Sequence, residues 1–322
     1  MSHLERHRSK FHLFPYPIQR LTLSSLDQLS YGLGTARFKR GNKDTLDEST
    51  IEYTLAALRQ GYYHLDCAEV YGNEAEVGVA LSRADIPRSK LYITTKSSCN
   101  KGESIDLALT RSLSKLGTDY VDLYLIHSPF WAGDINSPDP EVAAAAARAL
   151  QEKWAEMEAA KDSGRVKSIG VSNFLKEHIE AVLKTARYPP VVNQIEFHPY
   201  LQHHDAEGGL LGYMKEKGIV AEAYGPLTAV TKAAPGPVDE VYEKVARKYG
   251  VTPAEVALRW CLDQGVVAIT TSSKEERLRG WVRPGVLGFE LTKEEVEDIA
   301  QKGREKHFRG FWNNKFKEDD RR

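Results

Sequence analysis

The chain has 322 residues with 44 Lys and Arg against 45 Asp and Glu, a balance that leaves no net field to hold a nucleic acid or an anionic membrane surface. Its three cysteines, Cys67, Cys99 and Cys261, are odd in number and lack CxxC spacing, which argues against a disulfide framework or a zinc site and for a reducing, cytoplasmic setting. No apolar run reaches the roughly 18 residues of a membrane span, so the partner expected is a small molecule, with no obligate protein partner implied.

In chain order, the basic opening MSHLERHRSKFHLF lacks the apolar segment of a secretory signal, and residues 1–20 read as a disordered N-terminal extension. A mitochondrial presequence is the competing reading of Arg6, Arg8 and Lys10; scarce serine and Glu5 weigh against it. Two short alternating pieces, LTLSS and DQLSY, then predict a hairpin ahead of the main fold. Strands are predicted from Tyr31 (YGLGTA), Tyr63 (YHLDCA), Leu91 (LYITTKS), Tyr120 (YVDLYLIHS), Val166 (VKSIGVSN), Val191 (VVNQIEF), Ile219 (IVAEAYGP) and Val266 (VVAITTSS). Helices are predicted over 44–60, 74–82, 104–116, 140–162, 175–186, 206–217 and 253–264. The fourth contains AAAAARALQEKW, and alanine is the strongest intrinsic helix former.

Repeated strand–helix units with near-continuous apolar strands suit a closed parallel α/β barrel, (β/α)8, in which both faces of each strand are buried. The competing fold is a doubly wound open sheet. To bind a dinucleotide it would carry G-x-G-x-x-G after its first strand, whereas YGLGTAR places Arg37 where the third glycine belongs. A single barrel domain over 1–322 follows, with 307–322 as a C-terminal tail. Chemistry in such barrels sits at the C-terminal strand ends, so those residues are read together.

The second strand ends at Asp66 and Tyr71 follows in the next loop; Lys96 ends the third strand and His127 the fourth. A carboxylate, an amine and an imidazole converging on one rim need each other or a ligand to offset desolvation. Singly, Asp66 could cap a helix, Lys96 be a solvated loop residue and His127 a satisfied core histidine. Together they look like a device for making the Tyr71 phenol a proton donor. Lys96 would lower a pKa that is ordinarily about 10, Asp66 would pair with Lys96, and His127 would donate to a carbonyl oxygen. With no metal cluster, no activated serine and no electron sink of its own, the site needs a hydride donor from outside, for which a nicotinamide cofactor is the natural candidate.

The pieces DCAEVYGNEAEVG, LYITTK, DYVDLYLIHSP, GRVKSIGVSNF, NQIEFHPYLQ and AYGPL, in that order from about Gly32 to Phe308, resemble the aldo-keto reductase family. The resemblance implies NADPH-dependent reduction of an aldehyde or ketone, with Asp66, Tyr71, Lys96 and His127 as the catalytic four. It further implies that Ser172, Asn173 and Gln194 hold the carboxamide and that Tyr224 stacks on the nicotinamide. Gly34, Thr35, Asp66, Pro226 and Leu227 complete the cofactor contacts it implies near the ring.

Two departures from the family pattern stand out. ITTSSKEER puts Thr271 at the usual lysine, leaving Ser272, Ser273, Lys274 and Arg277 for a 2′-phosphate; an exposed charge pair opening a helix is the competing reading. Gly280 and Trp281 stand where an acid and an amide often hold the adenine. On the substrate side, Phe38, Tyr71, His127, Ser128 and Trp131 are the candidate contacts, and Trp312 either lines the pocket or packs the tail. HSPF, ITTSSK and the late WN are similar to a fungal branch acting on conjugated polyketones, ketopantoyl lactone and α-keto amides. Two other functions stay open on the residues alone: a non-catalytic nicotinamide-sensing subunit, and a barrel hydrolase or isomerase using Asp66 and His127.

Overall fold

The computed structural model describes residues 29–34, 45–203, 209–282 and 285–322. Strands β1 (Leu29–Gly32), β2 (His64–Asp66), β3 (Tyr92–Ser97), β4 (Val121–Ile126), β5 (Val166–Ser172), β6 (Val192–Glu196), β7 (Val220–Tyr224) and β8 (Val267–Thr270) lie parallel in chain order. Pairing of β1 with β8 closes the barrel. Helices α1 (Glu48–Arg59), α2 (Glu74–Arg83), α3 (Ile105–Leu116), α4 (Pro140–Asp162), α5 (Lys176–Leu183) and α6 (Gly209–Lys217) connect successive strands. Two helices, α7 (Asp239–Tyr249) and α8 (Pro253–Leu262), separate β7 from β8, and α9 (Glu275–Val282) and α10 (Lys293–Arg304) follow.

Alternation along the strands sorts residues between two cores. Tyr124 and Ile126 of β4 face the helices and join the main cluster with Trp154 and Met157 of α4, whereas Leu123 and Leu125 pack with Val192 inside the barrel. Gly170 of β5 faces that interior, where a Cβ would come within 2.7 Å of Val192 O and 2.8 Å of Leu125 Cδ2. Further along the same inner faces the side chains turn polar: Asp66, Lys96, Gln194 and Glu222 are all buried.

Helix ends follow local chemistry. Thr252 and Glu255 form a reciprocal capping box on α8, with Pro253 in the first turn, and Thr292 and Glu295 do the same for α10. The left-handed Gly117 stops α3.

The structure corrects two sequence expectations. β1 begins at Leu29, so Leu29 to Tyr31, assigned to the DQLSY arm of a hairpin, are barrel strand; Leu29 and Tyr31 are buried and pair with β8. The rest of that hairpin and residues 1–20 lie outside the described residues. Helices α7 and α10 were not predicted, although each is clearly amphipathic, burying Tyr242, Val245 and Ala246 in one and Ile299, Ala300 and Gly303 in the other on helices otherwise rich in charge. The KEER stretch does open a helix, α9.

Candidate active site

At the C-terminal ends of the strands a cavity of about 620 Å³ opens beside Asp66, Tyr71 and His127. Behind it Lys96 is wholly buried, its Nζ 2.7 Å from Asp66 Oδ1, 2.9 Å from Asp66 Oδ2 and 2.8 Å from Cys67 O. The Tyr71 hydroxyl is 3.4 Å from the same nitrogen. Parallel pairing of β2 with β3 sets Asp66 beside Thr94, two residues before Lys96 on the same face, which lets the lysine reach back. Tyr71 arrives on the turn after β2, a short helix Glu69–Tyr71 stopped by left-handed Gly72. Gly34 borders it from β1's end, where a Cβ would lie 3.4 Å from the Tyr71 hydroxyl oxygen. His127 follows β4, its ring meeting that of Tyr71 edge to face at 5.7 Å.

Electrostatics here depart from the sequence expectation in one respect. Burial pushes Tyr71 above the usual phenol range, and Lys96 offsets only part of that rise. The reason is geometric: the ammonium is bonded bidentately to Asp66, so the phenol faces an ion pair more than a lone cation. Burial opposes the Lys96 ammonium, but Asp66 and Tyr71 outweigh it and the net shift is upward. Burial and then Lys96 push His127 down to about 3, so the imidazole is neutral near pH 7 and has one N–H to donate. The site thus holds a protonated phenol, a charged lysine and a neutral histidine.

The polar residues after β5 and β6 form a tight set. Asn193 clasps both the N–H and the C=O of Phe174, fixing the turn in which Asn173 takes a left-handed φ of 62°. The Asn173 amide nitrogen donates to His127 O at 2.9 Å and Ser172 Oγ at 3.0 Å, and its Oδ1 accepts from the Tyr224 hydroxyl at 2.6 Å. Gln194 donates from Nε2 to Asp66 Oδ2 at 2.8 Å and to Glu222 Oε2 at 2.9 Å. With both amide protons on carboxylates, its carbonyl oxygen is the group left for the cavity that it lines. Glu222, whose carboxyl burial raises, was not singled out from sequence; its inward register two residues before Tyr224 was the available signal.

Ser172, Asn173, Gln194, Tyr224, Pro226, Leu227 and Ser128 line the cavity, as do Thr271 and Trp312. Trp131 does not; it packs against the main core. Phe311, Lys232 and Thr228 line it without having been singled out in sequence. Ser272, Ser273, Lys274 and Arg277 sit beyond it at the start of α9, where the Ser272 hydroxyl accepts from Lys274 N. Lys274 and Arg277 are exposed and make no ion pair among the described residues. Trp281 is buried in the core, and Gly280 precedes it in α9. Thr35 and Phe38 lie outside the described residues.

A nicotinamide cofactor fits these donors. Among the described residues, Thr270 and Thr271 present buried hydroxyl oxygens without a partner at the end of β8, and Gln194 keeps its carbonyl oxygen for the cavity while its amide nitrogen bonds two carboxylates. Tyr224 offers a ring whose orientation is fixed by its bond to Asn173. Among the described residues no cluster of His, Cys, Asp or Glu could hold a metal ion, and no helix is long and apolar enough to cross a membrane.

Comparison with known proteins agrees with the barrel and its rim. Residues 31–304 match the model of the Aldo/keto reductase family. The NAD/NADP-dependent indole-3-acetaldehyde reductase of Schizosaccharomyces pombe is 42% identical over 282 residues, spanning 88% of this chain and 93% of that protein. The NADPH-dependent alpha-keto amide reductase of Saccharomyces cerevisiae is 38% identical over 295 residues, 88% of this chain and 89% of its own. Among solved structures, a Bombyx mori aldo-keto reductase in complex with NADP has a TM-score of 0.71 at 31% identity, covering 85% of this chain and 88% of that one. Matched along most of its length by the family model and by relatives of this similarity, the chain belongs to the aldo/keto reductase family.

Proposed function

We propose that this protein reduces an aldehyde or ketone to the alcohol, with Tyr71 as the proton donor, and that it prefers NADPH to NADH. Family membership makes the chain an NAD(P)-dependent oxidoreductase. The observation that carries the proposal is the Tyr71 hydroxyl at the cavity edge, 3.4 Å from an ammonium held by buried Asp66.

The nicotinamide supplies a hydride to the carbonyl carbon when bound. The chain's own residues do the rest. His127, neutral, donates an N–H to the carbonyl oxygen, polarising it without adding charge. Tyr71, kept protonated by burial, passes its proton to the developing alkoxide, and Lys96 stabilises the phenolate left behind. Ser172, Asn173 and Gln194 orient the carboxamide, Tyr224 packs on the ring, and Lys274 and Arg277 meet the 2′-phosphate. Hydrolase or isomerase chemistry through Asp66 fits poorly, because Lys96 and Gln194 already occupy both of its oxygens.

For the substrate, an α-dicarbonyl or conjugated ketone is favoured. Phe311 and Trp312 offer flat walls, and two relatives are named for indole-3-acetaldehyde, whose carbonyl is one methylene from a flat ring, and for an alpha-keto amide. The same reading takes the protein as a single barrel domain in the cytoplasm, a setting its three free, buried thiols support. Tyr71→Phe tests the proposal. It should reduce diketone-dependent NADPH oxidation by at least about a thousandfold while leaving NADPH affinity within a fewfold. Retention of most turnover in that variant would remove Tyr71 from the reaction.

A further inference from the structure

The last segment of the chain is seated on the barrel by a buried carboxylate to which the reaction above gives no part. Glu196 ends β6, in register with Tyr224 of β7, and its side chain is 0% exposed. Glu196 Oε1 accepts from Gly310 N at 2.7 Å and from His198 Nε2 at 3.1 Å, and Oε2 accepts from Phe311 N at 3.2 Å. Burial holds His198 below the usual imidazole range, so Nε2 serves as a neutral N–H donor. Two consecutive backbone amides, 114 and 115 residues away in sequence, thus share one side chain.

What those amides position is the cavity wall. Phe311 meets Tyr224 edge to face at 5.2 Å, and the Lys232 ammonium covers its ring at 4.0 Å. Trp312 approaches His127 at 6.5 Å and Phe130 at 5.0 Å between ring centroids. Trp312 has a φ of 59°, a left-handed conformation that a bulky side chain adopts only when its surroundings impose it. The fit is close, since a Cβ on Gly310 would stand 3.1 Å from Glu196 Oε1. Nearby, the Arg309 guanidinium lies over Phe316 and donates to the Asp320 carbonyl, tying the segment to the chain's end.

We infer that Glu196 is a positioning residue that seats the Gly310–Phe311 backbone and thereby sets Phe311 and Trp312 as the wall selecting carbonyl substrates with a flat aromatic or conjugated substituent. The seating stands on geometry alone; the selectivity rests on the proposed carbonyl reduction.

The test uses the full-length protein and two variants, Glu196→Gln and Gly310→Ala, the second disturbing the contact while leaving the carboxylate in place. Amide hydrogen exchange over 306–316 is measured without ligand, and steady-state kinetics with NADPH compare methyl phenyl diketone with diacetyl. In both variants exchange of Gly310 and Phe311 should accelerate about tenfold or more. KM for the phenyl diketone should rise about fivefold, while kcat and KM for diacetyl stay within about twofold. Unchanged exchange in both variants overturns the seating, and an equal rise in KM for the two diketones overturns the selectivity. If Glu196→Gln does not fold, Gly310→Ala decides by the same readings. A wild-type protein that oxidises NADPH with neither diketone refutes the proposed function and, with it, the selectivity, while the exchange result still decides the seating.

Discussion

The Lys96 ammonium lies 3.4 Å from the Tyr71 hydroxyl, farther than from either oxygen of Asp66. The lysine is therefore half of a buried ion pair first and a neighbour of the phenol second, and both the stability of the rim and the protonation of the phenol follow from that order.

Lys96→Met should cost turnover and stability together. The substitution leaves Asp66, 2% exposed, with only the Gln194 amide as a hydrogen-bond partner among the described residues, and an uncompensated buried charge costs roughly 3–5 kcal/mol. Urea denaturation should show a loss of that order, alongside diketone reduction lowered at least about a hundredfold. Unaltered stability would mean that the Asp66–Lys96 ion pair does not hold the rim together.

The pH dependence of reduction should be nearly flat. Tyr71 must carry its proton, and its pKa lies above the ordinary value, so activity should fail only as pH rises past the usual phenol range. His127 must be neutral, and with a pKa of about 3 it stays so until strongly acid conditions; Lys96, shifted upward, stays charged throughout. Reductive kcat/KM should accordingly vary little between about pH 5 and pH 9. A single ionisation near neutrality in that profile would contradict these protonation states.

Arg277→Ala should weaken NADPH more than NADH. Charge-assisted contacts to a phosphate contribute about 1.5–3 kcal/mol where water is excluded, but Lys274 and Arg277 are exposed, which moves the expectation to the low end. NADPH affinity should fall roughly three- to tenfold and NADH affinity less than about twofold, as measured by quenching of protein fluorescence. Equal losses would show that Arg277 supports the start of α9 and does not read the phosphate.

Much of this protein is decided by its sequence alone. Strand–helix alternation and near-continuous apolar strands require both strand faces to be buried, which for this order of elements means a closed barrel, and the strand-end rule gathers Asp66, Lys96 and His127 with Tyr71. Those inferences rest on local periodicity and short spacings. Helices α7 and α10 do carry the helical period, but their few apolar residues sit among so many charges that they did not stand out. What only the tertiary structure decided depends on distance through space. Gln194 turns its amide nitrogen toward Asp66 and Glu222 because three strands bring them to one depth in the barrel. Burial, which no spacing reports, outweighs Lys96 and keeps the phenol protonated. Glu196 meets the amides of Gly310 and Phe311 only because the chain, having closed its barrel, returns across the mouth; no local pattern encodes a contact between a strand end and a tail more than a hundred residues later.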